Sequence, residues 1–145
     1  MGEAHKDQTI DNPRPRRVLL AEDNESNTLL ARTVLEMLGC EVVAVGTGRL
    51  AVSAVQREPF DIVLMDYHMP EMDGLEATRE IRRSEAAAEE GTQTQERRRI
   101  PIVAITASAM ESERQACLRS GMDDVLVKPF RPDDLRRLLA KWSAP

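Results

Sequence analysis

Five short apolar runs punctuate the chain: Val18–Ala21, Val42–Val45, Asp61–Met65, Ile100–Ile105 and Val125–Val127. They are continuous β-branched and aliphatic stretches, not alternations of apolar and polar residues. That is the pattern of strands covered on both faces, as in a parallel sheet sandwiched between helices. The segments between them carry apolar positions at helical spacing. Asn27–Leu38 has Leu30, Val34 and Leu38 and stops at Gly39, a residue suited to a helix C-terminus. Arg49–Arg57 has Leu50, Ala54 and Val55 and stops before Pro59. Leu75–Arg83 follows Gly74, and Glu111–Ser120 stops at Gly121. Pro132–Trp142 opens with proline in its first turn and sets Asp133 and Asp134 near the positive end of the helix dipole. The order is a strand–helix unit repeated five times. It predicts an α/β fold with right-handed crossovers, helices on both faces and all five carboxyl strand ends along one edge.

Two stretches fall outside this rhythm. Residues 1–16 are polar and basic and are expected to form a flexible tail ahead of a domain spanning residues 17–145. Ser84–Arg99 is polar and charged, and is expected to be a solvated insertion between a helix and the Ile100 strand. It feeds the amino end of that strand, so it should lie at the edge opposite Asp66 and not act as a lid. The run Arg97–Arg99 reads as its solvated end.

Composition narrows the function classes. With 145 residues, 41% hydrophobic and 31% charged, the chain fits one ordinary domain with a real core. No apolar run reaches the ~18 residues of a membrane span, and the tail lacks the apolar stretch of a signal peptide, so a cytoplasmic protein is expected. A net charge of -5 gives no reason to expect direct nucleic-acid binding. Cys40 and Cys117 have no CxxC spacing and read as reduced, partly buried thiols. His5 and His68 are too few for a histidine metal site.

The candidate chemistry lies at the carboxyl strand ends, where ligands collect in open parallel sheets. The first strand delivers Glu22 and Asp23, the third Asp66, the fourth Thr106 and the fifth Lys128. Singly each has a plain alternative: Asp23, Asn24 or Thr106 as a helix cap, Lys128 as a solvated lysine. Jointly they form a site. Two carboxylates about 4 Å apart repel by roughly 4 kcal/mol at an effective dielectric near 20. A hard divalent ion relieves this, and Mg²⁺ takes one or two carboxylates with waters and a phosphoryl oxygen. Asp66 becomes a credible nucleophile toward phosphorus, with Thr106 and Lys128 positioned to bind the phosphoryl oxygens.

The motifs LLAEDN (Leu19–Asn24), DIVLMDYHMPEMDG (Asp61–Gly74), PIVAITA (Pro101–Ala107) and GMDDVLVKPF (Gly121–Phe130) resemble the receiver domain of two-component response regulators, most of all the receivers of hybrid sensor histidine kinases. The resemblance runs from about Arg17 to Trp142. It implies a flavodoxin-like, doubly wound sheet of strand order 2-1-3-4-5. It also implies Asp66 as phosphoacceptor, with Thr106 and Lys128 binding the phosphoryl group. The Mg²⁺ ligands implied are Asp23, Asp66 and the His68 backbone carbonyl, with Glu22 acting mainly through water. Pro129 resembles the family's cis-proline. The implied donor is a phosphohistidine on a histidine kinase or histidine phosphotransfer domain, and a phosphorylation-dependent dimer is a further expectation. Such a domain takes part in its own phosphoryl transfer and autodephosphorylation and is not a turnover enzyme. Pro145 follows soon after the last helix, so a stand-alone or excised receiver without an attached effector domain is expected.

This sequence departs from the family at Val125, where an aromatic switch residue usually stands three positions before the lysine. His68 and Ser108 occupy its variable positions. Leu29, Arg32, Thr33, Glu36 and Met37 lie on one sector of the first helix, which is expected to dock the donor. Two other classes compete. A haloacid-dehalogenase-type phosphatase needs a second acid two residues after its nucleophile, and His68 stands there. A module that binds without being phosphorylated is argued against by the intact Glu22, Asp23, Asp66, Thr106 and Lys128.

Overall fold

The computed structural model describes residues 14–90 and 99–143. The expected tail up to residue 13 and most of the second half of the expected insertion, residues 91–98, lie outside the described residues. Strands β1 (Arg17–Ala21), β2 (Glu41–Val45), β3 (Ile62–Asp66), β4 (Ile102–Thr106) and β5 (Asp124–Val127) alternate with helices α1 (Glu25–Met37), α2 (Gly48–Arg57), α3 (Gly74–Glu90), α4 (Glu111–Ser120) and α5 (Pro132–Trp142). The sheet order is β2-β1-β3-β4-β5 with every pair parallel, the doubly wound order that the resemblance implies.

Successive strand side chains point to opposite faces, so each apolar run feeds two cores. Val18, Leu20, Ile62, Leu64, Val103 and Ile105 pack with Leu35 of α1 and Leu135 and Leu139 of α5. Leu19, Val63, Met65 and Ile102 pack on the other face with Ala51 and Ala54 of α2, Ala77 and Ile81 of α3 and Cys117 of α4. Fully burying a Leu or Ile is worth about 1.5–3 kcal/mol, so these layers hold the helices more firmly than helix propensity does. Local signals set the helix ends. The Asn24, Thr47 and Asp73 side chains accept from the N–H groups of Asn27, Leu50 and Glu76 and so cap α1, α2 and α3. Gly39 and Gly121 take positive φ angles of 89° and 113° past the ends of α1 and α4.

Two expectations are corrected. Leu30 is 61% exposed and Leu50 is 50% exposed; the sheet-facing positions belong to Ala31 and Leu35 in α1 and to Ala51 and Ala54 in α2. A small residue lets a helix approach a sheet closely, so Ala31 and Ala51 take the contact beside which Leu30 and Leu50 face outward, while Val34, Leu38, Ala54 and Val55 pack against the core as their spacing implies. Ser84–Glu90 is not loop but the last two turns of α3. This stretch has no glycine or proline, contains Ala86–Ala88, and is tied by an Arg82–Glu85 ion pair at 2.9 Å. Arg99 is exposed, as expected of a solvated end, and its guanidinium donates to the Gly121 carbonyl and to Asp123, at 2.9 and 2.8 Å. Among the described residues no helix is long and apolar enough to cross a membrane.

Candidate functional site

β1 and β3 stop with acids because the apolar runs end there and loops must begin. Glu22 follows β1, and its N–H donates to the Val45 carbonyl at 3.0 Å, which fixes it against β2. The residue is 5% exposed. Oε2 accepts from the Asn24 N–H at 3.1 Å and from Asn27 Nδ2 at 3.5 Å, and Oε1 lies 3.3 Å from Lys128 Nζ. Asp66 is the last residue of β3, paired in register with Ile105 and 7% exposed. Asp23 is exposed beside them. One carboxylate oxygen from each of Glu22, Asp23 and Asp66 lies within 4.8 Å of the others.

This crowding shows in the chemistry of Asp66. Burial, and then the Glu22 charge, push its pKa from 3.8 to about 6, against the opposing pull of Lys128 and a backbone hydrogen bond from His68. Such a trio of hard oxygen donors suits a divalent cation of the Mg²⁺ type, which would remove the repulsion that raises Asp66.

The loop after Asp66 is held from two sides. A Cβ on Gly74 would lie 2.4 Å from the Asp66 carbonyl oxygen, and one on Gly48 would lie 2.2 Å from the Met72 carbonyl oxygen. Only glycine lets the first turns of α3 and α2 sit this close to the loop. Within it Met72 N–H donates to the Pro70 carbonyl at 2.7 Å, around Glu71 at a φ of 69°. The His68 side chain is exposed, its ring tilted against Tyr67 at 4.6 Å between centroids.

Thr106 ends β4 and is 3% exposed. Its hydroxyl donates to Glu113 Oε1 at 2.7 Å and accepts from the Ser108 N–H at 3.1 Å. Lys128 follows β5, its N–H donates to the Thr106 carbonyl at 2.8 Å, and the Lys128–Pro129 peptide is cis, as the family resemblance implies. Val125 pairs with Ala104 and packs, partly buried, into the core on the α2–α4 face.

The fold therefore brings Glu22, Asp23, Asp66 and Lys128 together. It brings Thr106 to the same edge with its hydroxyl engaged by α4. Sequence reasoning missed Glu113, which reads there as an ordinary acid in a first helical turn. It also missed the Asn24 and Asn27 bonds to Glu22, for which the helix-cap pattern was the available signal.

Residues 18–140 match the model of the response regulator receiver domain family. The chain belongs to that family. Among curated relatives, the receiver is 48% identical over 130 residues to the sensor protein GacS of Pseudomonas syringae pv. syringae, covering 90% of this chain and 14% of that protein. Among solved structures, it is similar to the receiver domain of the sensor histidine kinase PA1611 from Pseudomonas aeruginosa PAO1, which holds a magnesium ion in its active-site cleft. There the TM-score is 0.77 at 38% identity, covering 90% of this receiver and 99% of that chain. The receiver domain of Saccharomyces cerevisiae Ssk1, solved with the histidine phosphotransfer protein Ypd1, gives a TM-score of 0.80 at 26% identity, with 90% of each chain covered. This receiver is thus a module of two-component signalling, similar to the receivers of hybrid sensor histidine kinases.

Proposed function

We propose that this receiver accepts a phosphoryl group on Asp66 from a phosphohistidine donor in a Mg²⁺-dependent reaction and thereby changes its partner binding. The observation that carries the reading is the acidic trio at one strand edge, with Asp66 as its buried member and Lys128 beside it. Asp23, Asp66 and the His68 carbonyl would hold Mg²⁺ directly, with Glu22 acting through water. Bound there, the ion would screen negative charge on the transferring group. An Asp66 carboxylate oxygen attacks phosphorus, the P–N bond to the donor imidazole breaks, and its electron pair leaves with the imidazole nitrogen. Lys128 moves from Glu22 to a phosphoryl oxygen, and the Thr106 hydroxyl donates to another. Hydrolysis of the acyl phosphate returns the receiver to its starting state.

The donor is proposed to be a histidine phosphotransfer domain or histidine kinase that docks on α1. Leu29, Leu30 and Met37 are 65%, 61% and 78% exposed on that helix. A groove of about 380 Å³ leads from Glu22 and Asp23 past Thr28, Leu29 and Arg32 to Gly46. An apolar helix face beside the acids is suited to a helical partner that must bring an imidazole to Asp66. The reading places the protein in the cytoplasm, and both cysteines are free buried thiols, in keeping with a reducing compartment. The test is intact mass after incubation with a small acyl-phosphate donor. One phosphoryl group should be gained with Mg²⁺ and none with chelator; equal gain in both would refute the metal-dependent reading.

A further inference from the structure

The Thr106 hydroxyl has one proton, and that proton is already committed. It goes to Glu113 Oε1 at 2.7 Å, while the oxygen accepts from the Ser108 N–H at 3.1 Å. A hydroxyl donates only once. It cannot serve Glu113 and a phosphoryl oxygen on Asp66 together, so one bond must break for the other to form.

Glu113 is the third residue of α4, where its charge suits the helix N-terminus. An acid at this position commonly reaches back to its own helix cap. Here it reaches across to β4 instead, and the α4 cap residue Met110 makes no side-chain capping bond. The Thr106–Glu113 bond therefore ties the first turn of α4 to the end of β4. Val125, in register with Ala104, has neither ring nor hydroxyl with which to follow a moving Thr106.

We propose that Glu113 is the positioning residue of this receiver's switch. It holds the Thr106 hydroxyl in the unphosphorylated protein, and phosphorylation takes that hydroxyl away and frees the first turn of α4. The inference rests on Asp66 being the phosphoacceptor. On release, the half-buried Glu113 carboxylate loses a charge-assisted partner and turns toward water. The change is then read out where Met110, 64% exposed, begins α4.

The test compares wild type, Glu113→Ala and Glu113→Gln by amide hydrogen exchange over residues 107–118 and by phosphorylation rate with a small acyl-phosphate donor and Mg²⁺. Before phosphorylation, Glu113→Ala should exchange in α4 as fast as phosphorylated wild type. It should also take up phosphoryl about tenfold faster, because no charged acceptor competes for the hydroxyl. Glu113→Gln keeps an acceptor and should fall between. Wild-type α4 exchange that is unchanged on phosphorylation would overturn the proposal, as would a Glu113→Ala protein with wild-type exchange and rate. If wild type takes up no phosphoryl group, the phosphoacceptor reading fails; the exchange of unphosphorylated Glu113→Ala still reports separately whether Glu113 restrains α4.

Discussion

Lys128 reaches over two strands to touch Glu22: its Nζ lies 3.3 Å from Oε1, joining the end of β5 to the end of β1 across β4 and β3. Glu22 is nearly buried and Lys128 about a quarter exposed, so the pair is only partly screened by solvent. In the proposed reaction this lysine would oppose cation binding beforehand and favour the phosphoryl group during transfer.

Lys128→Gln should therefore separate two properties. Mg²⁺ should bind several-fold more tightly, because a positive charge has been removed from beside the acids. Phosphorylation should slow by about tenfold or more, because a charge-assisted donor to the phosphoryl group is lost. Calorimetric Mg²⁺ titration and the time course of mass gain measure the two effects, and both weakening together would contradict the assignment.

The raised pKa of Asp66 makes a stability prediction of definite sign. In metal-free protein the folded state binds the Asp66 proton more tightly than the unfolded chain, whose value stays near 3.8. The contribution is fully present below the unfolded value and is lost as pH rises through about 6. Asp66→Asn should thus be more stable than wild type at about pH 7 without Mg²⁺, by on the order of 2 kcal/mol, with the advantage gone at about pH 4. Millimolar Mg²⁺ should raise the wild-type melting temperature more than that of Asp66→Asn. Thermal melts at both pH values, with and without the ion, check this.

The α1 face can be tested without touching the acids. Leu29→Glu should lower phosphotransfer from a phosphohistidine protein by about tenfold or more if that side chain is a buried anchor of the docked complex. Phosphorylation by a small acyl phosphate should stay at the wild-type rate. Rates from both donors falling together would place the effect in the reaction site and not in docking.

Gly74→Ala should destabilise the fold by about 1–3 kcal/mol and slow phosphorylation, because its Cβ must displace backbone. The obstacle is the Asp66 carbonyl oxygen at 2.4 Å. Gly46→Ala is the control: nothing lies within 4 Å of its Cβ, so denaturant melts should move little.

The sheet and the edge that gathers the site were legible because both rest on strong local patterns. Fully apolar runs are required of strands buried on both faces, and a parallel order forces their carboxyl ends together. In α1 and α2 the spacing of Val34, Leu38 and Ala54 showed the core face, but Leu30 and Leu50 misled, because contact with a sheet at close range selects Ala31 and Ala51 and leaves those leucines outside. The last turns of α3 look like loop in the sequence because their polar, charged composition masks the helix preference of Ala86–Ala88. Glu113 could not be found at all, since a bond from a first helical turn to a neighbouring strand end leaves no periodic trace.

Whether Asp66 receives the phosphoryl group is decided by peptide mapping after borohydride reduction of the phosphorylated protein. Reduction converts an aspartyl phosphate to a distinct side chain that mass spectrometry can place. One modified position is expected, Asp66, with no modification of the Asp66→Asn protein. A label on Glu22 or Asp23, or undiminished labelling of Asp66→Asn, would contradict it.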